Sequence, residues 1–171
     1  MAEGFHRIDP AELRDNVFRI IHEDWMLITA GTLESFNMMT ASWGGLGVLW
    51  EKKVALCFIR PGRHTFGFVE KSSIFTLSFY AEAYRAALDL CGTKSGRDMD
   101  KAREAGLTPI TTPAGGIAFD EARLILECRK LYTHDLDPKR FLDAGIEKNY
   151  PNKDYHRMYV GEIVSCLKRA S

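Results

Sequence analysis

Strand-like segments recur along this chain without the regular helix after each strand that a β-α-β fold requires. Apolar runs and apolar–polar alternation predict about six strands, with short helices inserted between some of them. Such an order favours an antiparallel sheet or barrel with peripheral helices over a doubly wound parallel sheet. The segments are MLITAGT, NMMTAS, KKVALCFIR, SIFTLSFY, EARLILECRKLY and HRMYVGEIVSCL.

Three segments carry helix signals. In DPAELRDNVFRIIHEDW, Asp9 is a suitable N-cap, Pro10 suits the first helical position and Glu12 completes a capping box. EAYRAALDLCG predicts a short helix that ends at Gly92. SGRDMDKAREAG predicts a turn and a second short helix that ends at Gly106. The intervening TTPAGG is expected to be a loop.

The segment NMMTASWGGLG begins like a strand but places three glycines within four positions, Gly44, Gly45 and Gly47. Glycine weakens a strand because it adds backbone entropy and packs nothing. It is used where a backbone bends sharply or where another molecule comes close. In the last strand, Glu162 shares a face with Val160 and Val164, so its carboxylate is expected to be paired or at an edge.

The charge balance excludes some classes of protein. The 171 residues, most simply one domain, carry 23 basic and 23 acidic side chains, and a nucleic-acid or anionic-membrane binder needs a basic excess. There is neither an apolar run long enough for a membrane span nor an N-terminal secretion signal, so we expect a cytoplasmic protein. The cysteines and histidines are dispersed, which predicts buried thiols and no metal site.

Two polar clusters are candidates for anion binding. RPGRHT follows the apolar run VALCFI, and its two arginines suit bidentate phosphate contacts, although a solvated turn with arginines paired to acids explains it equally well. GTKSGRDMDK offers Ser95, Gly96 and helix-opening amides, with charge from Arg97 and Lys101. Neither is a P-loop, and Trp50 stands where a dinucleotide fingerprint needs its third glycine. There is no G-x-S-x-G nucleophile motif either. The features that remain, a glycine-interrupted strand, two basic turns and several aromatic residues, suit a flat, phosphorylated, aromatic ligand.

The segments NMMTASWGGLGVLW, VALCFIRPGRHT, FTLSFY and CGTKSGRDMDK resemble the flavin reductase-like, FMN-binding split-barrel family, flavoredoxin branch. EARLILECRKLY and HRMYVGEI are also similar, so the resemblance runs from about Trp25 to Ile163. It implies a mainly β fold: a six-stranded antiparallel split barrel with peripheral helices, non-covalent FMN and a homodimer that closes the site. One domain, 1–171, would comprise an N-terminal helical extension (1–24) and a barrel (25–166) with a helical insert (82–106).

The same resemblance implies roles for individual residues. The N-x-M-T-A-S strand would lie along the flavin ring, with main-chain groups at its pyrimidine edge, and Trp43 and the glycines would form the bend where the strand leaves the flavin. Two further groups would hold the phosphate or the ribityl chain, and His156 would face the flavin or nicotinamide pocket in a catalytic role. The residues are Asn37, Met39, Thr40, Ala41, Ser42 and Trp43 at the ring, and Arg60, Arg63, His64, Thr65, Ser95 and Lys101 at the phosphate or ribityl chain.

The activity expected from the resemblance is that of an FMN-dependent NAD(P)H:flavin oxidoreductase, with NAD(P)H as co-substrate. An electron carrier of flavoredoxin type, which exchanges electrons with protein partners, is the alternative. A flavin-binding module without turnover is a third. The missing acid–base constellation agrees with all three, because the cofactor itself carries the redox chemistry.

Overall fold

Residues 4–170 are described by a computed structural model of the protein. Residues 1–3 of the expected N-terminal extension, and Ser171, lie outside the described residues. The helices are α1 Val17–His22, α2 His64–Lys71, α3 Arg85–Thr93 and α4 Lys101–Glu104. The strands are β1 Phe5–Ile8, β2 Met26–Thr32, β3 Ser35–Ala41, β4 Gly44–Leu49, β5 Lys52–Ile59, β6 Ile74–Phe79, β7 Pro109–Thr111, β8 Ile117–Phe119, β9 Leu124–Asp135 and β10 Arg157–Arg169.

The main sheet curves into a barrel. Its order is β3-β2-β6-β9-β10-β5-β4, with β1 also paired to β10, and every pairing is antiparallel. β3 and β4 are at opposite ends of this order, yet only Ser42 and Trp43 separate them in the chain. Three peptide steps span at most about 11 Å, so the end of β3 lies next to the start of β4 and the sheet must curve round. The predicted antiparallel barrel is confirmed, with eight strands in the sheet described here instead of six.

Both faces of the central strands are covered. Side chains that point into the barrel include Ile28, Phe75 and Tyr159, which belong to one buried cluster. Leu27 and Ile125 belong to a second cluster together with residues of α3 and the β7–β8 hairpin, because neighbouring residues of a strand point to opposite faces. The polar face of β6 is therefore buried as well, and its Thr76 and Ser78 are fully covered. The four cysteines are buried and unbridged, as predicted.

The N-terminal segment differs from the single helix that the sequence predicts. Asp9 does act as a cap, but of a 3-10 turn at Pro10–Glu12. The backbone is extended at Leu13, and Asn16 caps a separate helix, α1, by accepting from the backbone N–H of Arg19. A second capping side chain ends one helical turn and starts another, since it offers backbone N–H groups an alternative partner. Residues Phe5–Ile8 form a strand, so the extension is only partly helical.

Other local predictions agree more closely. α4 is followed by Gly106 with a φ of +66°, which suits the predicted glycine-closed end. α3 extends one residue past Gly92, to Thr93. Glu162 is paired: its carboxylate accepts from Lys52 Nζ at 2.9 Å and from Arg129 at 3.0 Å. Among residues 4–170, no helix has the length and apolar character needed to cross a bilayer.

Candidate functional site

The bend between β3 and β4 lies at Ser42 and Trp43, so Trp43 is at the bend as the resemblance implied, but the glycines are not. Gly44 to Gly47 are part of β4 and pair with β5. A Cβ at Gly44 would fall 2.7 Å from the carbonyl oxygen of Leu56 and 3.0 Å from Met26 Cε. Glycine is required there because two barrel backbones approach closely.

A first cavity, here called the basic cavity, lies where β3, the start of α2 and the loop after α3 meet. Its volume is about 150 Å³. Four cationic side chains line it, and among the described residues no carboxylate does, although the chain as a whole has no net charge. The lining residues are Asn37, Met39, Gly62, Arg63, His64, Thr65, Thr93, Lys94, Ser95, Gly96, Arg97 and Lys101.

Hydrogen bonds between elements fix the walls of the basic cavity. Asn37 Nδ2 on β3 donates to Thr65 Oγ1 on α2 at 2.7 Å, and both side chains are buried. Arg63, the N-cap residue of α2, donates from its guanidinium to the carbonyl oxygen of Gly92 at 2.9 Å. A Cβ at Gly96 would lie 2.0 Å from Asn37 Oδ1, so the loop backbone packs directly against the Asn37 side chain.

Lys101 is buried beside this cavity. Its Nζ donates to the carbonyl oxygens of Met38 and Cys91, the latter at 3.0 Å. An ammonium has three donors, so one N–H is not used by these two carbonyls. Burial lowers the pKa of Lys101, Cys91 raises it, and Arg63 adds a further lowering. The pKa of His64 is also lowered, first by burial and then by the charges of Arg97 and Lys101. Burial is the main cause of both shifts, and the neighbouring cations add to it.

A second cavity, here called the aromatic cavity, adjoins the first, because Met39 and Arg63 line both. Its volume is about 160 Å³. β3 forms its floor and is an edge strand in the sheet order, so one side of its backbone is not bonded to another strand. The lining residues are Met39, Thr40, Ala41, Ser42, Trp43, Phe58, Arg60, Arg63 and His156.

Arg60 lies at the aromatic cavity and does not line the basic cavity, whereas the resemblance placed it at the phosphate. Its guanidinium donates to Asp154 at 2.7 Å and to the carbonyl oxygen of Asn149 at 2.8 Å. It also lies 5.0 Å from the ring centre of Tyr150, a cation–π distance. Its charge is therefore already paired with a carboxylate.

His156 closes one side of the aromatic cavity. It is buried, its Nδ1 is 2.9 Å from the Tyr150 hydroxyl oxygen, and its ring centre is 5.1 Å from that of Trp43. The pKa of His156 is lowered to about 4, mainly by burial and also by the charges of Arg60 and Arg63, while Asp154 acts in the opposite direction. The imidazole is therefore neutral at pH 7.

Every residue that the sequence analysis assigned to the site lines one of these two adjoining cavities. Four lining residues were not singled out: Gly62, Thr93, Lys94 and Phe58. Lys94 was visible only as one more charge in GTKSGRDMDK, and Phe58 is an apolar residue within a buried strand, which carries no sequence signal for a site.

Comparisons with solved structures agree with the barrel topology. The chain superposes on an FMN-binding domain of a flavin reductases-like enzyme from Shewanella baltica with a TM-score of 0.70 at 14% identity, covering 96% of this chain and 77% of that one. For flavoredoxin from Methanosarcina acetivorans the TM-score is 0.69 at 20% identity, covering 95% of this chain and 76% of that one. For the NADH:FAD oxidoreductase of Streptomyces globisporus, solved with NAD and FAD fragments, the TM-score is 0.63 at 14% identity, covering 85% of this chain and 68% of that one. At these identities the likeness establishes the fold.

The fold is thus the antiparallel split barrel of flavin reductase-like proteins. The family model described as the flavin reductase like domain matches residues 18–171, nearly the whole chain. The chain belongs to that family, which confirms the resemblance seen in the sequence. No curated protein sequence matches at a significant level.

Proposed function

We propose that this protein is an FMN-binding oxidoreductase that accepts hydride from NAD(P)H and passes electrons to free flavin or another acceptor. One observation carries the proposal: a cavity lined by four cations adjoins an aromatic cavity lined by the edge strand β3. A phosphate ester on a flat ring needs this pair of environments side by side.

The basic cavity suits the phosphate of FMN. A phosphate monoester carries nearly two negative charges near neutral pH and several strong acceptor oxygens. Arg63 and Arg97 each use one guanidinium nitrogen on a backbone carbonyl, at 2.9 and 3.4 Å, which leaves other N–H groups for a ligand. The unused N–H of Lys101 adds a donor, held in place by two carbonyls.

The aromatic cavity suits the ring. Bound FMN would supply the hydride and electron chemistry, so the protein needs only to bind and orient it and to limit the access of water. The edge of β3 offers peptide groups to the ring, Trp43 and Phe58 offer apolar surface, and His156 offers a neutral imidazole. Arg60, paired to Asp154, holds the wall next to His156.

The direct test is to measure FMN content of the purified protein and NADH and NADPH oxidation with and without added FMN. Oxidation that depends on added FMN and consumes one nicotinamide per flavin reduced supports a reductase. A protein that neither retains nor binds FMN would overturn the proposal.

An electron carrier is the second candidate, because flavoredoxins from Methanosarcina acetivorans and Desulfovibrio vulgaris share the fold, each with 76% or more of its chain covered. The carrier would bind FMN but turn over NAD(P)H poorly. Rapid reduction of the bound flavin by a ferredoxin-type donor, with negligible NAD(P)H oxidation, would select this candidate over the reductase.

We also propose a homodimer. β4 and the chain just after it expose apolar side chains, among them Val48 (76% exposed) and Trp50 (53%), and Trp50 packs against the exposed Tyr132. An edge strand with exposed apolar residues favours association with another chain. Sedimentation should give a dimer for the wild type and a monomer for Val48→Asp. Leu142→Asp is the control, since Leu142 is fully exposed in a different loop; a monomeric wild type would refute the dimer.

A further inference from the structure

Tyr150 contacts His156 from outside the aromatic cavity, and no role has been assigned to it above. It follows a 3-10 segment, Ala144–Asn149, in the long connection between β9 and β10. Its ring is buried and packs against Phe141 and Tyr155 at centroid distances of 6.0 and 5.0 Å, and against His156 at 5.5 Å. The phenol is therefore held in one place by its neighbours.

The hydrogen bond between Tyr150 and His156 has a preferred direction. Burial raises the pKa of the Tyr150 phenol, so the hydroxyl keeps its proton at neutral pH. Within residues 4–170, the side-chain atom that hydrogen-bonds to this hydroxyl is Nδ1 of His156, at 2.9 Å. A buried O–H that did not donate there would lose its hydrogen bond. The favourable arrangement has the O–H donating and Nδ1 accepting.

The direction of this bond decides the tautomer of the imidazole. In a neutral histidine one ring nitrogen donates and the other accepts. Burial and the charges of Arg60 and Arg63 keep the ring neutral at pH 7 against the opposing charge of Asp154. If Nδ1 accepts from Tyr150, the proton of the imidazole is on Nε2. His156 lines the aromatic cavity, so Nε2 is the ring nitrogen left to meet a ligand.

We infer that Tyr150 is a positioning residue: its hydroxyl donates to Nδ1 of His156 and thereby fixes the Nε2–H tautomer that presents a hydrogen-bond donor to the aromatic cavity. The ligand atom it suits is an acceptor, a carbonyl oxygen or an unprotonated ring nitrogen. The tautomer follows from the contacts within the protein, and only the identity of the ligand rests on the proposed function.

The tautomer is tested on the full-length protein labelled with ¹⁵N-histidine, using two-bond ¹H–¹⁵N correlation spectra near pH 7. His156→Ala assigns the signals. The wild type should show a protonated Nε2 and an unprotonated Nδ1, and Tyr150→Phe should give a mixture of tautomers. Tyr155→Phe is the matched control, because it removes a neighbouring phenol hydroxyl that bonds to Glu147 and does not contact His156.

A wild-type spectrum with the proton on Nδ1 overturns the inference, and so does an unchanged tautomer in Tyr150→Phe. The wild-type measurement stands even if a variant fails to fold. The measurement also needs no flavin. If the protein does not bind FMN, the proposed function is refuted, but the spectrum still shows which tautomer His156 adopts.

A mutant cycle tests whether the donor meets the ligand. Tyr150→Phe and His156→Ala should each weaken FMN binding by about 3- to 10-fold, the loss of one neutral hydrogen bond. The double variant should bind no more weakly than His156→Ala alone, because Tyr150 acts through the imidazole. Additive losses, or no loss in either variant, would refute the positioning role.

Discussion

Replacing Arg63 by Ala should weaken binding of FMN but not of riboflavin. Arg63 lines both cavities and has one guanidinium nitrogen committed to the carbonyl oxygen of Gly92. Its remaining N–H groups are the donors that we assign to the phosphate. Riboflavin has the same ring and ribityl chain without the phosphate, so it serves as a matched ligand.

The size of the effect follows from the number of bonds removed. A hydrogen bond to a charged group contributes about 1.5–3 kcal/mol, and the lower value applies because Arg63 is exposed to solvent. One or two such bonds amount to about 1.5–3 kcal/mol, and each 1.4 kcal/mol is a factor of ten. We expect the Kd for FMN to rise by about 10- to 100-fold.

Quenching of flavin fluorescence on titration with protein measures both dissociation constants. Arg103→Ala is the control, since Arg103 is an exposed cation on α4 that does not line either cavity. An unchanged Kd for FMN in Arg63→Ala, or an equal loss for riboflavin, would show that the phosphate does not bind in the basic cavity.

Three further predictions concern the site and the barrel. Gly96→Ala should weaken FMN binding by about 10-fold or more, because the new Cβ displaces Asn37, whose Oδ1 lies 2.0 Å from its position, and breaks a buried hydrogen bond. Burial and neighbouring cations lower the pKa of His64, and a bound phosphate should raise it again. The wild type should therefore take up more protons per FMN bound than His64→Gln between about pH 5 and 7. Calorimetry in buffers of different ionisation enthalpy measures this uptake. Gly161→Ala should lower the free energy of unfolding by about 1–3 kcal/mol in urea titrations, because its Cβ would lie 2.7 Å from Phe75 Cζ.

The Gly161 prediction has a matched control, and the His64 prediction has a defined sign. Gly67→Ala in α2 should leave stability unchanged or slightly raised, since a Cβ there meets no atom within 4 Å. If Gly161→Ala were as stable as Gly67→Ala, the packing argument would be wrong. For His64, the sign is set by the pKa: a group that holds its proton more tightly in the complex makes binding stronger as the pH falls. Equal proton uptake by wild type and His64→Gln would place His64 away from the phosphate.

Strand periodicity and glycine placement made the fold class predictable. β9 and β10 coincide with EARLILECRKLY and HRMYVGEIVSCL to within a few residues, and α4 ends at its predicted glycine. Period-2 alternation and helix-ending glycines act over a few neighbouring residues, so they can be read locally. β1 could not be predicted in this way, because FHRI becomes a strand by pairing with β10, more than 150 residues away.

The same distinction between local and long-range information applies to the candidate site. The sequence by itself determined which residues carry charge, which turns are basic and where the glycines cluster, since these are properties of residue type and spacing. It could not determine that Arg60 pairs with Asp154 while Arg63 does not, or that Tyr150 bonds to His156. Those outcomes depend on which loops the closed barrel brings within hydrogen-bond distance, and closure is decided by the long-range pairing of strands. The tertiary structure alone therefore separates the basic cavity from the aromatic one.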